Sequence, residues 1–277
     1  MIPARKRWGQ HFLVHPDTAE RIVEAARLTP GDTVVEVGPG DGALTRRLRA
    51  KAARLLAIEI DPLRSAELER EMGPDPNVRV LRGDVLDRTF SDWLRQAGWS
   101  GPAIFVSNLP YNAATPILLA AIAEPSAIGR CVVTVQKEVG ARLAARPGGE
   151  HYGYLTVRVA VYSQARVLFD LPPGAFRPRP KVVSSVIELT PRTPALDPAL
   201  RDRAVAIASL AFRSRRKTLP NALAGAGGRA PWEAALEAMG KDPRSRGEVL
   251  GLDDYLALAS SPAAAALEPA PAPASVS

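Results

Sequence analysis

The chain has 277 residues, with 36 lysines and arginines against 29 aspartates and glutamates, and a single cysteine. One cysteine excludes an intrachain disulfide, and the three histidines lack metal-ligand spacing, so no metal site is expected. The net charge of +7 and the sequence pI of about 9.9 favour an anionic partner. Neither a signal-peptide pattern nor a bilayer-length apolar run is present, which predicts a cytoplasmic protein with no membrane contact.

Short apolar runs alternate with segments of helical character in the first part of the chain. The runs are Thr33–Val37, Leu55–Ile60, Val78–Leu81 and Ala103–Ser107, and segments such as 43–50 and 62–71 separate them. This alternation is typical of βαβ units and a parallel sheet. Each run ends at a polar or glycine-rich point, and the carboxyl ends of parallel strands share one crevice. The residues expected there are Glu36 or Gly38, Glu59, Asp84 and Asn108.

The later part of the chain predicts more strands and then helices. Cys131 lies in the run 131–135, which reads as the fifth strand and makes the cysteine a buried small hydrophobe. Two more strands are expected at 165–169 and 184–189, joined by a proline-rich loop. A linker at 191–198 then leads to helices at 199–212, 232–239 and 253–259, and the Ala/Pro-rich tail is expected to be disordered.

The tetrapeptide Asn108-Leu109-Pro110-Tyr111 directly follows the fourth strand. A planar amino group on a ring needs acceptors in its plane and a stacking surface. The Asn108 oxygen and a backbone carbonyl, such as that of Leu109, can accept its two hydrogens, and Tyr111 can stack on the ring. Pro110 stiffens the loop because its φ is fixed. A plain strand-to-helix turn explains the same residues equally well.

The glycine run after the first strand predicts a ligand that approaches the backbone closely. Gly38, Gly40 and Ala43 match the dinucleotide fingerprint, with Glu59 near the spacing of a ribose-binding acid. Glu36 and Asp41, however, place negative charge where a pyrophosphate would lie. A cationic ligand without phosphate, such as S-adenosylmethionine, suits the loop better. Glu59 would then accept from the ribose hydroxyls and Asp84 from the adenine amino group.

A series of motifs resembles the ribosomal RNA adenine N6-dimethyltransferase family, and within it the bacterial enzymes that act on the small subunit. The match runs in order from about Arg5 to about Leu258. The motifs are Lys6–Leu13, Glu36–Thr45, Ile58–Asp61, Gly83-Asp84, Asn108–Asn112 with Thr115-Pro116, Gln136–Val139, Phe176–Val182 and Arg215–Leu219. Each motif alone has modest specificity, and the ordered series is highly specific.

The resemblance implies an α/β fold of the class I S-adenosylmethionine-dependent methyltransferases, with a Rossmann-like, mostly parallel seven-stranded sheet and a small all-α C-terminal domain. It places the catalytic domain at 1–192, the helical domain at 193–262 and a disordered tail at 263–277. The implied reaction is dimethylation of two adjacent adenosines in a hairpin near the 3′ end of 16S rRNA. The implied partner is an immature 30S subunit, met by a monomeric enzyme with a role in subunit biogenesis.

The same resemblance assigns roles to individual residues. Cofactor-binding positions correspond to His11, Leu13, Gly38, Glu59, Asp84 and Asn108, and the catalytic set is Asn108, Leu109, Pro110, Tyr111 and Phe176. Tyr111 and Phe176 would hold the target base between them. Phe176 by itself is more often a core residue, and only the flanking prolines and basic residues favour an exposed loop. The chain departs from the family pattern at three positions. The family often has asparagine where this chain has His11 and phenylalanine where it has Trp8, and it commonly has a basic residue where this chain has Pro220. Pro220 would break or begin a helix.

Basic clusters near the candidate base pocket are expected to contact phosphates. They comprise Arg177, Arg179 and Lys181, and then Arg215, Arg216 and Lys217. Any one such cluster taken alone is more often a solvated face. Because aromatic residues are few outside the motifs, a folded RNA or ribonucleoprotein surface is a better expectation than an extended single strand.

Three other functions stay open from the sequence. The first is the 23S rRNA methyltransferase of the macrolide-resistance type, whose members more often carry isoleucine where this chain has Leu109. The second is a non-catalytic RNA-binding assembly factor, which the presence of Glu59, Asp84 and Asn108 disfavours. A dinucleotide oxidoreductase is the most distant alternative.

Overall fold

The computed structural model describes residues 10–73 and 75–267. Contacts between residues divide this part of the chain into two compact units. The first unit contains residues up to 140 together with 165–191, and the second contains 141–164 together with the residues from 192 onwards. Trp8, one of the departures from the family pattern, lies outside the described residues.

The first unit is built on a seven-stranded sheet and a smaller two-stranded one. The strands of the larger sheet are β2 (Thr33–Val37), β3 (Arg54–Glu59), β4 (Val78–Arg82), β5 (Ala103–Asn108), β6 (Ile128–Gln136), β7 (Ser163–Leu171) and β9 (Ser184–Pro191). They lie in the order β4-β3-β2-β5-β6-β9-β7. Strands β2 to β6 pair in parallel and β9 pairs antiparallel with β6, which confirms the mostly parallel sheet. The smaller antiparallel sheet joins β1 (Phe12–Leu13) to β8 (Phe176–Arg177).

Helices follow the strands of the sheet and begin at recognisable signals. The helices are α1 (Pro16–Ala25), α2 (Thr45–Lys51), α3 (Pro62–Met72), α4 (Phe90–Gln96), α5 (Ala114–Ile122) and α6 (Lys137–Leu143). At the start of α3, the Asp61 carboxylate accepts from the Leu63 amide and Pro62 occupies the first turn. This cap starts α3 shortly after the end of β3, so the chain turns away from the sheet at the strand end.

The central strands are buried on both faces, as a covered parallel sheet requires. Val34, Leu55 and Ala57 are inaccessible to solvent, and together with Leu13 and Phe176 they belong to one apolar cluster. Cys131 is buried in β6, and burial raises the pKa of its thiol to about 12. The predicted small buried hydrophobe is therefore confirmed.

The second unit is helical and has its own apolar cluster. Its helices are α7 (Tyr154–Ala160), α8 (Pro198–Arg213), α9 (Leu219–Leu223), α10 (Ala230–Ala238) and α11 (Leu252–Ser260). Trp232 and Tyr255 are fully buried, and each donates to a backbone carbonyl at 2.8 Å. Pro220 lies in the first turn of α9, so it begins a helix. Residues 141–164 group with these helices, and the sequence-based domain limits stay a prediction.

The start of the expected disordered tail is instead packed. Pro262–Ala266 forms a 3-10 helix in which Ala263 and Ala264 are buried against the helical cluster. Small alanine side chains fit closely against an apolar surface, which explains this correction. Residues 268–277 of the tail lie outside the described residues. Within the described part of the chain, no helix is long and apolar enough to cross a membrane.

Candidate active site

The carboxyl ends of the central strands open onto three adjoining cavities that share Gly38. The residues predicted to bind the cofactor all line them: His11, Leu13, Gly38, Glu59, Asp84 and Asn108. Asp84 lines the largest of the three, about 160 Å³, whose walls include Val37, Val85 and Ile117. A largely apolar cavity with one carboxylate among its lining residues suits a planar ring that carries an amino group.

Glu59 fastens the glycine loop to the end of β3. Its carboxylate accepts from the Gly40 amide at 3.1 Å and from the Asp61 amide at 2.9 Å. Burial raises the pKa of Glu59, whereas the two amide hydrogen bonds and the nearby Arg64 act in the opposite direction. A carboxylate offers about four acceptor positions, so further donors such as ribose hydroxyls can be accommodated.

Glu36 is a second buried carboxyl group, at the end of β2, and lines a cavity with Leu13, Gly38 and Asn108. Burial raises its pKa to about 8, although the Thr45 side chain and Arg46 favour the charged form. Its Oε2 atom has no hydrogen-bond partner among the described residues. A cation that enters this cavity would favour the ionised form of Glu36.

Asn108 presents an unused acceptor to the cavities. Its Nδ2 donates to the backbone carbonyl of His11 at 2.7 Å. Its Oδ1 is buried and has no donor in the described part of the chain. Two backbone hydrogen bonds hold the following loop. The Leu109 amide donates to the Thr134 carbonyl, and the Ala113 amide donates to the Pro110 carbonyl. The arrangement leaves a fixed amide oxygen that can accept a hydrogen bond from an amino group of a ligand.

Tyr111 supplies the aromatic surface beside this acceptor. Its hydroxyl forms a hydrogen bond with Ser184, and burial raises its pKa, so the phenol is neutral. The ring stacks on the His11 imidazole with centroids 5.0 Å apart and an interplanar angle of 29°. His11 Nδ1 lies 2.6 Å from the Pro178 carbonyl oxygen and therefore carries the donated proton. The spacing of the sequence motifs does not predict these contacts of His11, because the residues are far apart in the chain.

Phe176 does not present its ring as the sequence led us to expect. It is only 3% exposed, lies in β8 opposite Leu13, and packs in the apolar cluster with Leu171 and Ala175. The prediction that Phe176 lies on an exposed loop is therefore wrong, whereas its role in stacking on the target base stays a prediction. Burying an aromatic ring among aliphatic side chains removes more apolar area from water than an exposed loop would.

The predicted RNA-binding cations are all exposed. Arg177, Arg179 and Lys181 lie in the first unit, on and after β8, and Arg215, Arg216 and Lys217 lie in the second unit between α8 and α9. Arg215 also donates to the Tyr152 carbonyl at 3.1 Å, which restrains the segment. Among the residues that the structure describes, no group of three or more His, Cys, Asp or Glu side chains could hold a metal ion.

Comparison with known proteins points in the same direction as this geometry. The family described as "Ribosomal RNA adenine dimethylase" matches residues 1–246. The chain is 41% identical to "Ribosomal RNA small subunit methyltransferase A" of Moorella thermoacetica, with 93% of this chain and 92% of the relative aligned. It is 42% identical to the protein of the same name from Kineococcus radiotolerans, over 98% of this chain and 91% of that relative.

Two solved structures share the fold over nearly the whole chain. The 23S rRNA methyltransferase ErmE superposes with a TM-score of 0.71 and 27% identity, covering 90% of this chain and 98% of that one. A dimethyladenosine transferase from Plasmodium falciparum superposes with a TM-score of 0.72 and 22% identity, covering 90% and 96%. The second likeness bears on the fold alone.

Proposed function

The chain belongs to the ribosomal RNA adenine dimethylase family, and we propose that it uses S-adenosylmethionine to dimethylate N6 of two adjacent adenosines in 16S rRNA. The observation that carries the proposal is the buried Oδ1 of Asn108, an acceptor without a donor among the described residues at the end of β5. The target hairpin lies near the 3′ end of the RNA in an immature small subunit. The enzyme works as a monomer in the cytoplasm.

The chemistry of the target explains why such an acceptor is needed. The exocyclic nitrogen of adenine is a poor nucleophile because its lone pair is delocalised into the ring. Hydrogen bonds from its amino group to Asn108 Oδ1 and to a backbone carbonyl favour a pyramidal nitrogen with a localised lone pair. The remaining task is to orient this nitrogen and to stabilise the charge that moves onto it.

The chain's own residues divide the work of binding. Glu59 and Asp84 would hold the ribose and the adenine of S-adenosylmethionine, which supplies an electrophilic methyl group on a sulfonium. Glu36 would place negative charge in the cavity that faces the cationic end. Tyr111 would stack on the target base and offset the few kcal/mol needed to unstack it from the RNA.

The small subunit is favoured over 23S rRNA as the substrate for two reasons. The curated relatives at about 40% identity carry the small-subunit name, whereas the 23S enzyme is 27% identical. Leu109 also stands where the resistance-type enzymes more often have isoleucine. Exposed cations of the sheet domain, such as Arg179, and of the helical domain, such as Arg216, would bind RNA phosphates.

The proposal is tested by supplying radiolabelled S-adenosylmethionine with undermethylated small subunits, with large subunits, or with free 23S RNA. The modified nucleoside is then identified after digestion, and the Asn108→Ala variant serves as the blank. Dimethyladenosine confined to the small subunit supports the proposal. Label found only in 23S RNA would contradict the proposal and indicate the resistance-type activity. The absence of label in every substrate would also contradict it and indicate a binding role.

A further inference from the structure

Arg64 is a buried cation next to the candidate active site. Its side chain is 1% exposed, and it forms an ion pair with Asp41, which is 40% exposed. Its guanidinium carbon lies 4.1 Å from the centre of the Phe12 ring. Removing a guanidinium from water is costly, and an ion pair seldom repays that cost in full. A gain in stability is therefore a weak account of this arrangement.

Phe12 contacts both Arg64 and the glycine loop. Gly40 has a φ of +59°, and a Cβ built on it would lie 2.5 Å from the Phe12 ring, so only glycine permits this contact. On the other side of the same short strand, Leu13 pairs with Phe176 and the Val14 amide donates to the Ala175 carbonyl at 3.0 Å. The strand is thus fixed on both sides.

The residue before Phe12 carries the carbonyl that orients Asn108. The amide of Asn108 can point its oxygen or its nitrogen towards the cavity, and only the oxygen accepts from an amino group. The His11 carbonyl accepts from Nδ2 at 2.7 Å and therefore selects the orientation that leaves Oδ1 without a donor among the described residues. A displacement of the strand would remove this selection.

We propose that Arg64 is a positioning residue for the methyl transfer. Together with Asp41 it clamps Phe12 against Gly40, and through the adjoining His11 carbonyl it keeps the Asn108 oxygen turned towards the target amino group. The inference rests on the role proposed above for Asn108. Because a misplacement of about 1 Å can lower a rate by roughly 100-fold, we expect a large effect on kcat from a residue that does not touch the substrate.

The test compares Arg64→Met with Arg49→Met, which removes an exposed arginine of α2 that forms an ion pair with Asp75. Arg64→Met should lower kcat on undermethylated small subunits by roughly 10- to 100-fold with KM nearly unchanged, and Arg49→Met should change neither. Phe12→Leu should show the same split between kcat and KM. The double variant Phe12→Leu/Arg64→Met should lose little more than either single variant, because both act through one contact.

A second readout does not depend on catalysis. The chain has asparagines only at 77, 108, 112 and 221, so the side-chain amide of Asn108 can be assigned by NMR in the free protein. In Arg64→Met, the side-chain amide protons of Asn108 should exchange with water faster and lose the chemical shift of a hydrogen-bonded amide. The side-chain amide signals of Asn77 should stay unchanged. An unaltered Asn108 signal overturns the clamp, whatever the enzyme methylates. Should Arg64→Met not fold, Asp41→Asn tests the same contact at a half-exposed position, and unchanged kcat and NMR signal there overturn the proposal.

Discussion

The side-chain nitrogen of Asn108 donates to the backbone carbonyl of His11 at 2.7 Å, which links the end of β5 to a segment 97 residues earlier in the chain. The other end of the same amide, Oδ1, is buried without a donor among the described residues. A buried acceptor without a partner loses free energy unless a ligand supplies the missing hydrogen bond. The relationship therefore orients an amide for a donor that comes from outside the protein.

Asn108→Ala should strongly lower the rate of methyl transfer without unfolding the protein. Loss of one positioned hydrogen-bonding group in an active site typically lowers kcat by roughly 100- to 1000-fold. The rate is measured in a single turnover on undermethylated small subunits, and the thermal midpoint reports folding. Retained turnover in a folded variant would show that Asn108 does not hold the amino group.

Asp84→Asn should weaken the binding of S-adenosylmethionine. Asp84 Oδ1 also accepts from the Leu86 amide at 3.0 Å and caps a 3-10 turn, a task that asparagine performs about as well. Loss of the charged acceptor is expected to cost roughly 1.5–3 kcal/mol, or about 10- to 100-fold in Kd. Titration calorimetry measures Kd, and equal affinity of the variant and the original protein contradicts the assignment.

Phe176→Ala should lower stability, because the ring is buried among Leu13, Leu171 and Ala175. Truncation of a buried phenylalanine costs about 3–5 kcal/mol. Phe176→Leu keeps most of the volume and should cost roughly 2 kcal/mol less. Denaturant unfolding gives both values. An unchanged free energy of unfolding in Phe176→Ala would mean that the Phe176 ring is exposed to solvent.

The sequence was sufficient to predict the sheet and the crevice at the carboxyl ends of its strands. Apolar runs bounded by glycine or acidic residues located the strands to within a few residues. Because the carboxyl ends of parallel strands share one crevice, Gly38, Glu59 and Asn108 were expected to lie together, and they line one cavity. These features depend on residues that are close in sequence, or on a general property of parallel sheets.

Contacts between distant segments could not be predicted in this way. The stacking of His11 on Tyr111 and of Arg64 on Phe12 depends on the path of the N-terminal strand, which no periodicity encodes. Phe176 illustrates the same limit, because flanking prolines and cations suggested exposure while the packing of β8 on β1 buried the ring. Residues 141–164 likewise joined the helical unit through interactions with residues far along the chain.

Neutralising Arg215, Arg216 and Lys217 with glutamine should weaken RNA binding and its dependence on salt. Removing one cation that binds a phosphate reduces the slope of log K against log[salt] by about 0.7–0.9. The matched control replaces Arg70, Arg95 and Arg229, which are also exposed, and changes the net charge equally. Binding is measured at several salt concentrations. Equal slopes for the two triple variants would move the RNA interface elsewhere.

Glu36 should make the protein less stable as the pH rises. Its pKa is about 8 in the folded chain against 4.5 as the ordinary value, because burial disfavours the charged form. Between these values the unfolded chain has lost the proton and the folded chain keeps it, so the free energy of unfolding falls with increasing pH. Glu36→Gln should remove this part of the dependence when unfolding is followed by denaturant titration from about pH 5 to about pH 9.

The same carboxyl group should couple cofactor binding to proton release. A sulfonium cation in the cavity lowers the pKa of Glu36, so binding at about pH 7 should release up to about one proton. Affinity should then rise with pH and level off above about pH 8, where the free protein is already ionised. Calorimetry in two buffers of different ionisation enthalpy measures the released protons, and Glu36→Gln serves as the reference for protons that come from the ligand itself. An identical release by the variant and the original protein would show that the cation binds away from Glu36.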